Sequence, residues 1–239
     1  MLFGASLAAS ASSAYGRHGA RINRPERWSA MILLALLVAP RPVAGGATPI
    51  RLLVLGDSLT AGYGLAWAQA FPAQLENALA AEGLAVRVSS AGVSGDTTAG
   101  GRARLAWTLG ASSQDQPDAA IVELGANDAL RGIEPEATAQ SLDAILTELN
   151  RCGIPVLLAG MRAPPNLGTE YGRRFDAIYP RLAQAHGVAL YPFFLEGVAA
   201  VPRLNQDDGI HPNAEGVAEI VRRITPAAAA LVRAARSGQ

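Results

Sequence analysis

The sequence predicts an α/β fold with a parallel sheet and helices on both of its faces. Short apolar runs of strand length alternate with longer segments in which apolar residues recur at helical spacing. This alternation runs from about residue 50 to the C-terminus without an internal repeat or an interdomain linker. Of the 239 residues, roughly 190 remain after a leader segment, which is enough for one hydrophobic core.

Five segments have the length and composition of strands. The first is a largely apolar run that contains the β-branched residues Ile50 and Val54, and it is too short for a typical helix. Strands alternating with helices form βαβ units, so these strands are expected to be parallel. The predicted strands are residues 50–55, 85–89, 119–124, 154–159 and 188–191.

Five longer segments have helical periodicity. The first ends at Gly83, a typical helix stop, and the third has Pro135 in its first turn, where proline is tolerated. The fourth is expected to be interrupted near Pro180. The predicted helices are residues 66–81, 97–109, 135–150, 171–186 and 214–234.

The N-terminal 47 residues have the features of a leader. Residues 30–39 form one apolar run that is preceded by three arginines and followed by the small residues 44–47. A basic region, a short apolar region and small residues describe a secretory signal, and the run is too short to span a bilayer. We therefore expect a leader at 1–47, a single domain at 48–239, no membrane span after cleavage, and a periplasmic or secreted location. An uncleaved anchor and a translation start at Met31 are the alternatives.

Charge and cysteine content exclude several classes of protein. Lys plus Arg and Asp plus Glu are balanced at 20 each, which gives no electrostatic basis for binding nucleic acid or an anionic membrane. The single cysteine, Cys152, excludes an intramolecular disulfide and a cysteine-rich zinc site. It is expected to be a small, partly buried side chain near a helix end.

A serine and a histidine are placed for nucleophilic catalysis. Ser58 follows the first strand, at the edge where open α/β sheets bind ligands, although a helix-capping role is the alternative. Of the three histidines, His18 lies in the leader and His186 at a predicted helix end, which leaves His211 as the base. Asp208, three residues earlier, can orient it. No second histidine is placed to complete a metal site, so no metal is expected.

Donors for an oxyanion are expected at the same edge. Gly95 follows the second strand and can offer its backbone N–H, because a residue without Cβ permits close approach. Asn127 follows the third strand and can offer its side-chain amide. The Ser58 N–H is the third candidate. Each of these residues also has an alternative interpretation as an ordinary turn or cap residue.

Four ordered motifs resemble those of the SGNH, or GDSL, hydrolase family. They are G-D-S-L at 56–59, V-S-G-D at 93–96, G-A-N-D at 125–128 and D-G-I-H-P at 208–212. The resemblance implies a flavodoxin-like three-layer α/β/α sandwich with a mostly parallel five-stranded sheet. It also implies Ser58, Asp208 and His211 as the triad, and it favours Asp208 over the adjacent Asp207 as the orienting carboxylate. Asp57 and Asp128, which flank the site, are expected to satisfy loop N–H groups beside the chemistry, with a direct catalytic role as the alternative.

Longer stretches are similar to one subgroup of that family. V-E-L-G-A-N-D-A-L-R-G at 122–132, Y-G-R-R-F at 171–175 and Q-D-D-G-I-H-P-N at 206–213 resemble periplasmic enzymes described as thioesterases, lysophospholipases and arylesterases. The resemblance implies hydrolysis of acyl esters and thioesters through an acyl-Ser58 intermediate, without a cofactor. One departure is Ala126, where the subgroup commonly has glycine. This extra methyl group is expected to narrow the site or stiffen the turn without removing the chemistry.

Two loops are expected to form an acyl pocket, with ordinary loop packing as the alternative. They supply Asp128, Leu130, Ile133, Met161, Pro164, Pro165 and Leu167. The expected partner is a small acyl ester or thioester, and the chain is expected to be a monomer or a weak dimer. Three other functions use the same residues or fold: a carbohydrate acetyl-esterase, an acyltransferase with an alcohol acceptor, and a non-enzymatic binding domain.

Overall fold

Five strands form one sheet in which every neighbouring pair is parallel. The computed structural model describes residues 48–110 and 116–238, all within one compact unit. The strands are β1 (Ile50–Gly56), β2 (Val86–Gly92), β3 (Ala119–Glu123), β4 (Val156–Ala159) and β5 (Ala189–Tyr191). Their order across the sheet is β2-β1-β3-β4-β5, which confirms the predicted flavodoxin-like parallel sheet.

The three central strands make the core because they are buried on both faces. Every residue of β3 and β4 is buried, and in β1 only Arg51 is exposed. Parallel sheets are covered on both sides by their crossover helices, which explains why these segments read as nearly continuous apolar runs. The edge strands β2 and β5 contain half-buried and exposed residues.

Eight α-helices and three short 3-10 turns connect the strands in the described part of the chain. The 3-10 turns are Trp67–Gln69, Pro165–Leu167 and Pro202–Leu204. The helices are α1 (Ser58–Ala61), α2 (Phe71–Ala81), α3 (Thr98–Leu109), α4 (Ala126–Leu130), α5 (Pro135–Arg151), α6 (Thr169–Asp176), α7 (Ile178–His186) and α8 (Ala214–Ser237).

The helices pack in two groups, which makes the molecule a three-layer sandwich. Helix α8 contacts α2 and runs over β1, β3 and β4, whereas α3 packs on α5 and α5 packs on α7. The apolar side of α8, which includes Ile220, Ile224 and Val232, is fully or almost fully buried. The sheet is thereby shielded from water on both faces.

Two predicted helices are divided in the structure. The segment predicted at 66–81 is a 3-10 turn followed by α2, with Ala70 in an extended conformation between them. A new helix begins there because Pro72 is suited to a first helical turn. The segment predicted at 171–186, with an interruption near Pro180, is divided at Ala177, three residues earlier. Pro180 lies in the first turn of α7, where a backbone N–H has no intrahelical acceptor, so the N–H that proline lacks is not needed there.

Two short helices that the sequence pattern did not predict lie in the segments that carry Ser58 and Asn127. Helix α1 has four residues and α4 has five, so neither is long enough to show a periodicity.

The leader predicted at 1–47 and the apolar run within it lie outside the described residues. Among the described residues, no helix combines the length and the apolar character that a membrane crossing requires.

Candidate active site

Ser58 lies directly after the carboxyl end of β1, as the first residue of α1. The residue that caps this helix is Asp57, whose Oδ1 accepts a hydrogen bond from the Leu59 N–H at 3.0 Å. Ser58 itself therefore does not cap the helix, and its hydroxyl is available for other contacts. The strand order reverses direction between β1 and β3, which is where open α/β sheets place their binding crevice.

The hydroxyl of Ser58, the ring of His211 and the carboxylate of Asp208 form a continuous hydrogen-bonded chain. His211 Nε2 lies 3.0 Å from Ser58 Oγ, and His211 Nδ1 lies 2.6 Å from Asp208 Oδ2. With its proton on Nδ1 donated to Asp208, the imidazole presents Nε2 as an acceptor for the serine proton. This is the arrangement in which a serine can be activated as a nucleophile.

Asp208 is held as an ionised acceptor by its own loop. Its Oδ1 accepts hydrogen bonds from the backbone N–H groups of His211 and Ile210, at 3.0 and 2.9 Å. The His211 N–H, the His211 side chain and the Ile210 N–H lower the pKa of Asp208 to about 2. Asp208 is therefore a carboxylate throughout the neutral range, and it can stabilise a cationic His211. Asp207 does not make either contact with His211.

Three possible oxyanion donors lie at this sheet edge. Asn127 is in α4, which begins directly after β3 and Leu124–Gly125, and its amide Nδ2 donates to Asp57 Oδ2 at 3.1 Å. Gly95 has a φ of 83°, a left-handed conformation that glycine adopts readily. The backbone N–H groups of Ser58 and Gly95 have no acceptor among the described residues. Both are free to bind a developing negative charge.

A pair of buried carboxyl groups lies next to the turn that carries Ser58. Asp57 and Glu123 have no solvent exposure. Glu123 Oε2 accepts from Thr60 Oγ1 at 2.7 Å, whereas Glu123 Oε1 has no partner. Burial raises the pKa of Asp57 to about 6. Burial, and after it the charge of Asp57, raises the pKa of Glu123 well above its ordinary value of 4.5.

The last loop of the chain is attached to the loop that follows Ser58. Gln206 Nε2 donates to the carbonyl of Tyr63 at 2.8 Å and to that of Pro212 at 3.0 Å, and its backbone N–H donates to the His211 carbonyl at 2.8 Å. The Tyr63 ring covers the imidazole of His211, with ring centroids 4.5 Å apart. Sequence reasoning did not single out Gln206 or Tyr63, although Gln206 begins the quoted Q-D-D-G-I-H-P-N stretch.

Two arginines, which the sequence analysis also missed, brace the loop that carries Gly95. Arg104 donates to Asp96 Oδ2 at 2.7 Å and to the carbonyl of Gly56 at 2.9 Å, so it ties this loop to the end of β1. Arg131 donates to the Gly95 carbonyl at 2.8 Å. Neither contact is visible in a sequence, because the partners are 8 to 48 residues apart and follow no periodicity.

The residues predicted to line an acyl pocket have different environments. Asp128 is buried, and its carboxylate accepts from the Thr98 N–H and the hydroxyls of Thr98 and Thr138, so it joins helices instead of facing a ligand. Met161 is also buried, against the core. The other predicted residues are accessible: Leu130 and Pro165 are exposed, and Ile133, Pro164 and Leu167 are half-buried.

Several apolar side chains are exposed close in sequence to the site residues. They occur in each of the four loops that supply Ser58, Gly95, Asn127 and His211. Such side chains at the rim of a polar site suit a substrate with an apolar portion. They are Tyr63, Val93, Leu130 and Ile210.

No group of three or more His, Cys, Asp or Glu side chains within residues 48–110 and 116–238 is arranged to hold a metal ion. The remaining histidine of this part, His186, ends α7 and contacts Asp143 Oδ1 at 2.7 Å. Cys152 caps the C-terminus of α5 and is partly buried, which confirms its expected position near a helix end.

A family model places the chain among known proteins. Residues 54–218 match the model described as the GDSL-like lipase/acylhydrolase family. The chain belongs to this family. The matched region begins within β1 and ends within α8, so it includes every residue of the hydrogen-bonded chain and all three oxyanion candidates.

Characterised members of the GDSL-like family are similar over most of the chain. The thioesterase 1/protease 1/lysophospholipase L1 of Escherichia coli K12 is 42% identical over 191 residues, which cover 80% of this chain and 87% of that protein. An arylesterase of Vibrio mimicus is 42% identical over 174 residues, covering 72% and 86% of the two chains.

Solved structures of the family have the same fold. AlinE4, described as an SGNH-hydrolase family esterase, is 52% identical, covers 76% of this chain and 95% of its own, and has a TM-score of 0.65. The crystal structure of TesA is 40% identical, covers 76% and 99% of the two chains, and has a TM-score of 0.71. As a member of the GDSL-like family with these relatives, the chain is a serine hydrolase that acts on ester bonds.

Proposed function

We propose that this enzyme hydrolyses carboxylic esters and thioesters of acyl chains through a covalent acyl-Ser58 intermediate. The observation that carries the proposal is the hydrogen-bonded chain from Ser58 Oγ through His211 to Asp208, with separations of 3.0 and 2.6 Å. Relatives named thioesterase, lysophospholipase and arylesterase support the acyl substrate class.

Acylation begins when His211 Nε2 takes the Ser58 proton as Oγ attacks the ester or thioester carbonyl. The positive charge that His211 acquires is balanced by Asp208, which stays ionised because its pKa is held near 2. The backbone N–H groups of Ser58 and Gly95 and the Asn127 amide bind the tetrahedral oxyanion. His211 then returns the proton to the departing alcohol or thiol.

Deacylation repeats these steps with water. The oxygen of a water molecule attacks the acyl-Ser58 carbonyl while His211 Nε2 takes a proton from that water. The N–H groups of Ser58 and Gly95 and the Asn127 amide bind the second oxyanion. Collapse breaks the bond to Ser58 Oγ, which recovers its proton from His211, and the carboxylic acid leaves. Every proton is accounted for within the triad, so no cofactor takes part.

The acyl portion of the substrate is proposed to lie along the accessible apolar residues of the two predicted loops. These are Leu130, Ile133, Pro164, Pro165 and Leu167, and the proposal omits Asp128 and Met161 because both are buried. The fixed position of Ile133, whose carbonyl accepts from Tyr171 Oη at 2.7 Å, supports a preformed surface.

The enzyme is further proposed to be periplasmic or secreted, from the signal-like segment, and to act as a monomer or weak dimer.

A hydrolysis panel tests the function. The whole protein is assayed on p-nitrophenyl esters from acetate to palmitate and on an acyl-CoA, with Ser58→Ala as the control. We expect turnover of medium or long acyl chains that is lost in the control. Turnover of acetate alone would contradict the acyl substrate class and favour a deacetylase. Acyl transfer to an added alcohol in preference to water would favour an acyltransferase.

A further inference from the structure

We propose that Asp57 is a positioning residue that sets the orientation of the Asn127 side-chain amide, so that this amide presents a donor, not an acceptor, to the reacting carbonyl oxygen. The inference rests on the proposed function and deepens it. Asn127 has an amide with a donating –NH₂ on one side and an accepting oxygen on the other. Only the first is useful in an oxyanion hole.

The carboxylate of Asp57 permits one orientation of that amide. Its Oδ2 lies 3.1 Å from Asn127 Nδ2 and, above the Asp57 pKa of about 6, it can only accept, so the –NH₂ must face it. Asp57 is completely buried, and water therefore cannot replace this partner. One N–H of Asn127 binds Asp57, and the second N–H of the same nitrogen remains for the substrate.

The orientation of Asp57 is itself fixed by the backbone. Its Oδ1 caps α1 by accepting from the Leu59 N–H at 3.0 Å. A backbone N–H cannot be exchanged for an acceptor, so the side chain at position 57 must keep an oxygen on that side. The two oxygens of Asp57 thus have separate tasks, one toward Leu59 and one toward Asn127.

This division makes Asp57→Asn an informative substitution. Its oxygen must remain on the Leu59 N–H, which turns its –NH₂ toward Asn127. Two –NH₂ groups would then face each other, and Asn127 would rotate to place its oxygen there. That oxygen would meet the substrate oxyanion and repel it. Asp57→Ala removes both the helix cap and the acceptor for Asn127. Nothing at position 57 then forces the Asn127 oxygen toward the substrate, so the amide can still present its –NH₂.

The two variants are therefore expected to rank in opposite orders for stability and for activity. Asp57→Asn keeps the cap, so its thermal midpoint should exceed that of Asp57→Ala. Its kcat on p-nitrophenyl butyrate should nevertheless be the lower of the two. We expect a loss of about 10²-fold or more, as for the loss of one oxyanion donor. Because the effect is confined to the transition state, KM should change little.

A double-mutant cycle distinguishes this role from a charge effect on His211. Asn127→Ala should itself lower kcat by about 10²–10³-fold. In the Asn127→Ala background, Asp57→Asn should cause no further loss, because no amide is left to rotate. A charge effect on His211 would instead persist in the double variant at full size, and this result would overturn the proposal.

Three further outcomes separate failure of the positioning role from failure of the proposed function. If Asp57→Asn folds and has nearly the wild-type kcat while Asn127→Ala is impaired, the positioning role is wrong and the esterase mechanism stands. If Ser58→Ala hydrolyses the ester as fast as wild type, the esterase mechanism itself fails. A kcat that follows thermal stability across the Asp57 variants would assign Asp57 to helix capping alone.

Discussion

At the scale of single residues, Glu123 is the most unusual group in the described part of the chain. It is fully buried, one of its oxygens has no partner, and its pKa is raised well above 4.5, primarily by burial. Between pH 4.5 and its raised value, the unfolded chain loses this proton while the folded chain keeps it. The free energy of unfolding must therefore fall as the pH rises through this range.

Replacing Glu123 by glutamine should remove this part of the pH dependence. Glutamine is similar in shape and neutral at every pH, so the free energy of unfolding should fall less between pH 5 and pH 8 in Glu123→Gln than in wild type. Urea unfolding at several pH values measures the slope. Asp118→Asn is the control, because the Arg51 contact lowers the pKa of Asp118 below 3.8 and places its titration outside this range. Parallel curves for Glu123→Gln and wild type would contradict the prediction.

Ala126 shows how a single difference from relatives can be evaluated. The sequence predicts that its methyl group narrows the site or stiffens the turn. In the structure, Ala126 is the half-buried first residue of α4, whereas the adjacent Gly125 has a φ of 118° and could not carry a Cβ without meeting Tyr179 Oη. The methyl group therefore lies in a regular helical position, and the glycine that the backbone requires is Gly125.

We expect Ala126→Gly to lower the free energy of unfolding by at most about 1 kcal/mol, because glycine has more backbone freedom to lose on folding. The kcat should stay within about two-fold of wild type, because the Ala126 methyl group supplies none of the atoms proposed to take part in the reaction. Denaturant unfolding and ester hydrolysis measure the two effects. A large gain in kcat would show that the methyl group does restrict the site.

At the scale of elements, Asp128 joins three helices. Its carboxylate accepts from the Thr98 N–H at 2.8 Å, from Thr98 Oγ1 at 2.5 Å and from Thr138 Oγ1 at 3.1 Å. Thr98 begins α3, Asp128 lies in α4 and Thr138 lies in α5. Removing the carboxylate leaves buried donors without an acceptor, each of which costs about 1–3 kcal/mol.

Asp128→Ala should consequently destabilise the fold by about 3 kcal/mol or more, since three donors lose their acceptor. Asp143→Ala is the matched control, because Asp143 is exposed, and its contact with His186 should contribute no more than about 1 kcal/mol. Urea denaturation measures both variants. Equal stabilities for the two variants would show that the three-helix contact is not a structural one.

Elements were predictable from the sequence where their apolar pattern was long enough to have a period. The strands β1, β3 and β4 were found because buried parallel strands are nearly uniform apolar runs. Helices α1 and α4 were missed because four or five residues cannot establish a period. The interruption near Pro180 was predictable, although the division lies three residues earlier, at Ala177, because proline is tolerated in the first turn of the new helix.

At the scale of the whole molecule, Gln206 connects the beginning of the domain to its end. Its amide bonds the Tyr63 carbonyl from 143 residues away. Contacts of this kind cannot be found from composition or spacing. The positions of Ser58, Asn127 and His211 were predictable because each belongs to a short motif at the end of an element, but the groups that hold them together were not.

Gln206→Ala should separate the loop of His211 from the loop after Ser58. Because a displacement of about 1 Å at a catalytic group can cost about 10²-fold, we expect kcat to fall by as much as this, with a smaller change in KM. Steady-state kinetics on a p-nitrophenyl ester measure the effect. Gln184→Ala, at an exposed position of α7, should match wild type. An unchanged kcat in Gln206→Ala would mean that the Tyr63 ring contact and the Asp208 hydrogen bonds suffice to hold His211.

The distance along the chain between Ser58 and His211 also determines when the enzyme can first act. The two residues are 153 positions apart, and β2, β3, β4 and β5 all lie between them in the chain. A nascent chain that has emerged from the ribosome only as far as β5 therefore contains the proposed nucleophile, Ser58, without the proposed base, His211. In a refolding experiment, the return of ester hydrolysis should therefore report the moment at which the first and last loops of the domain have come together.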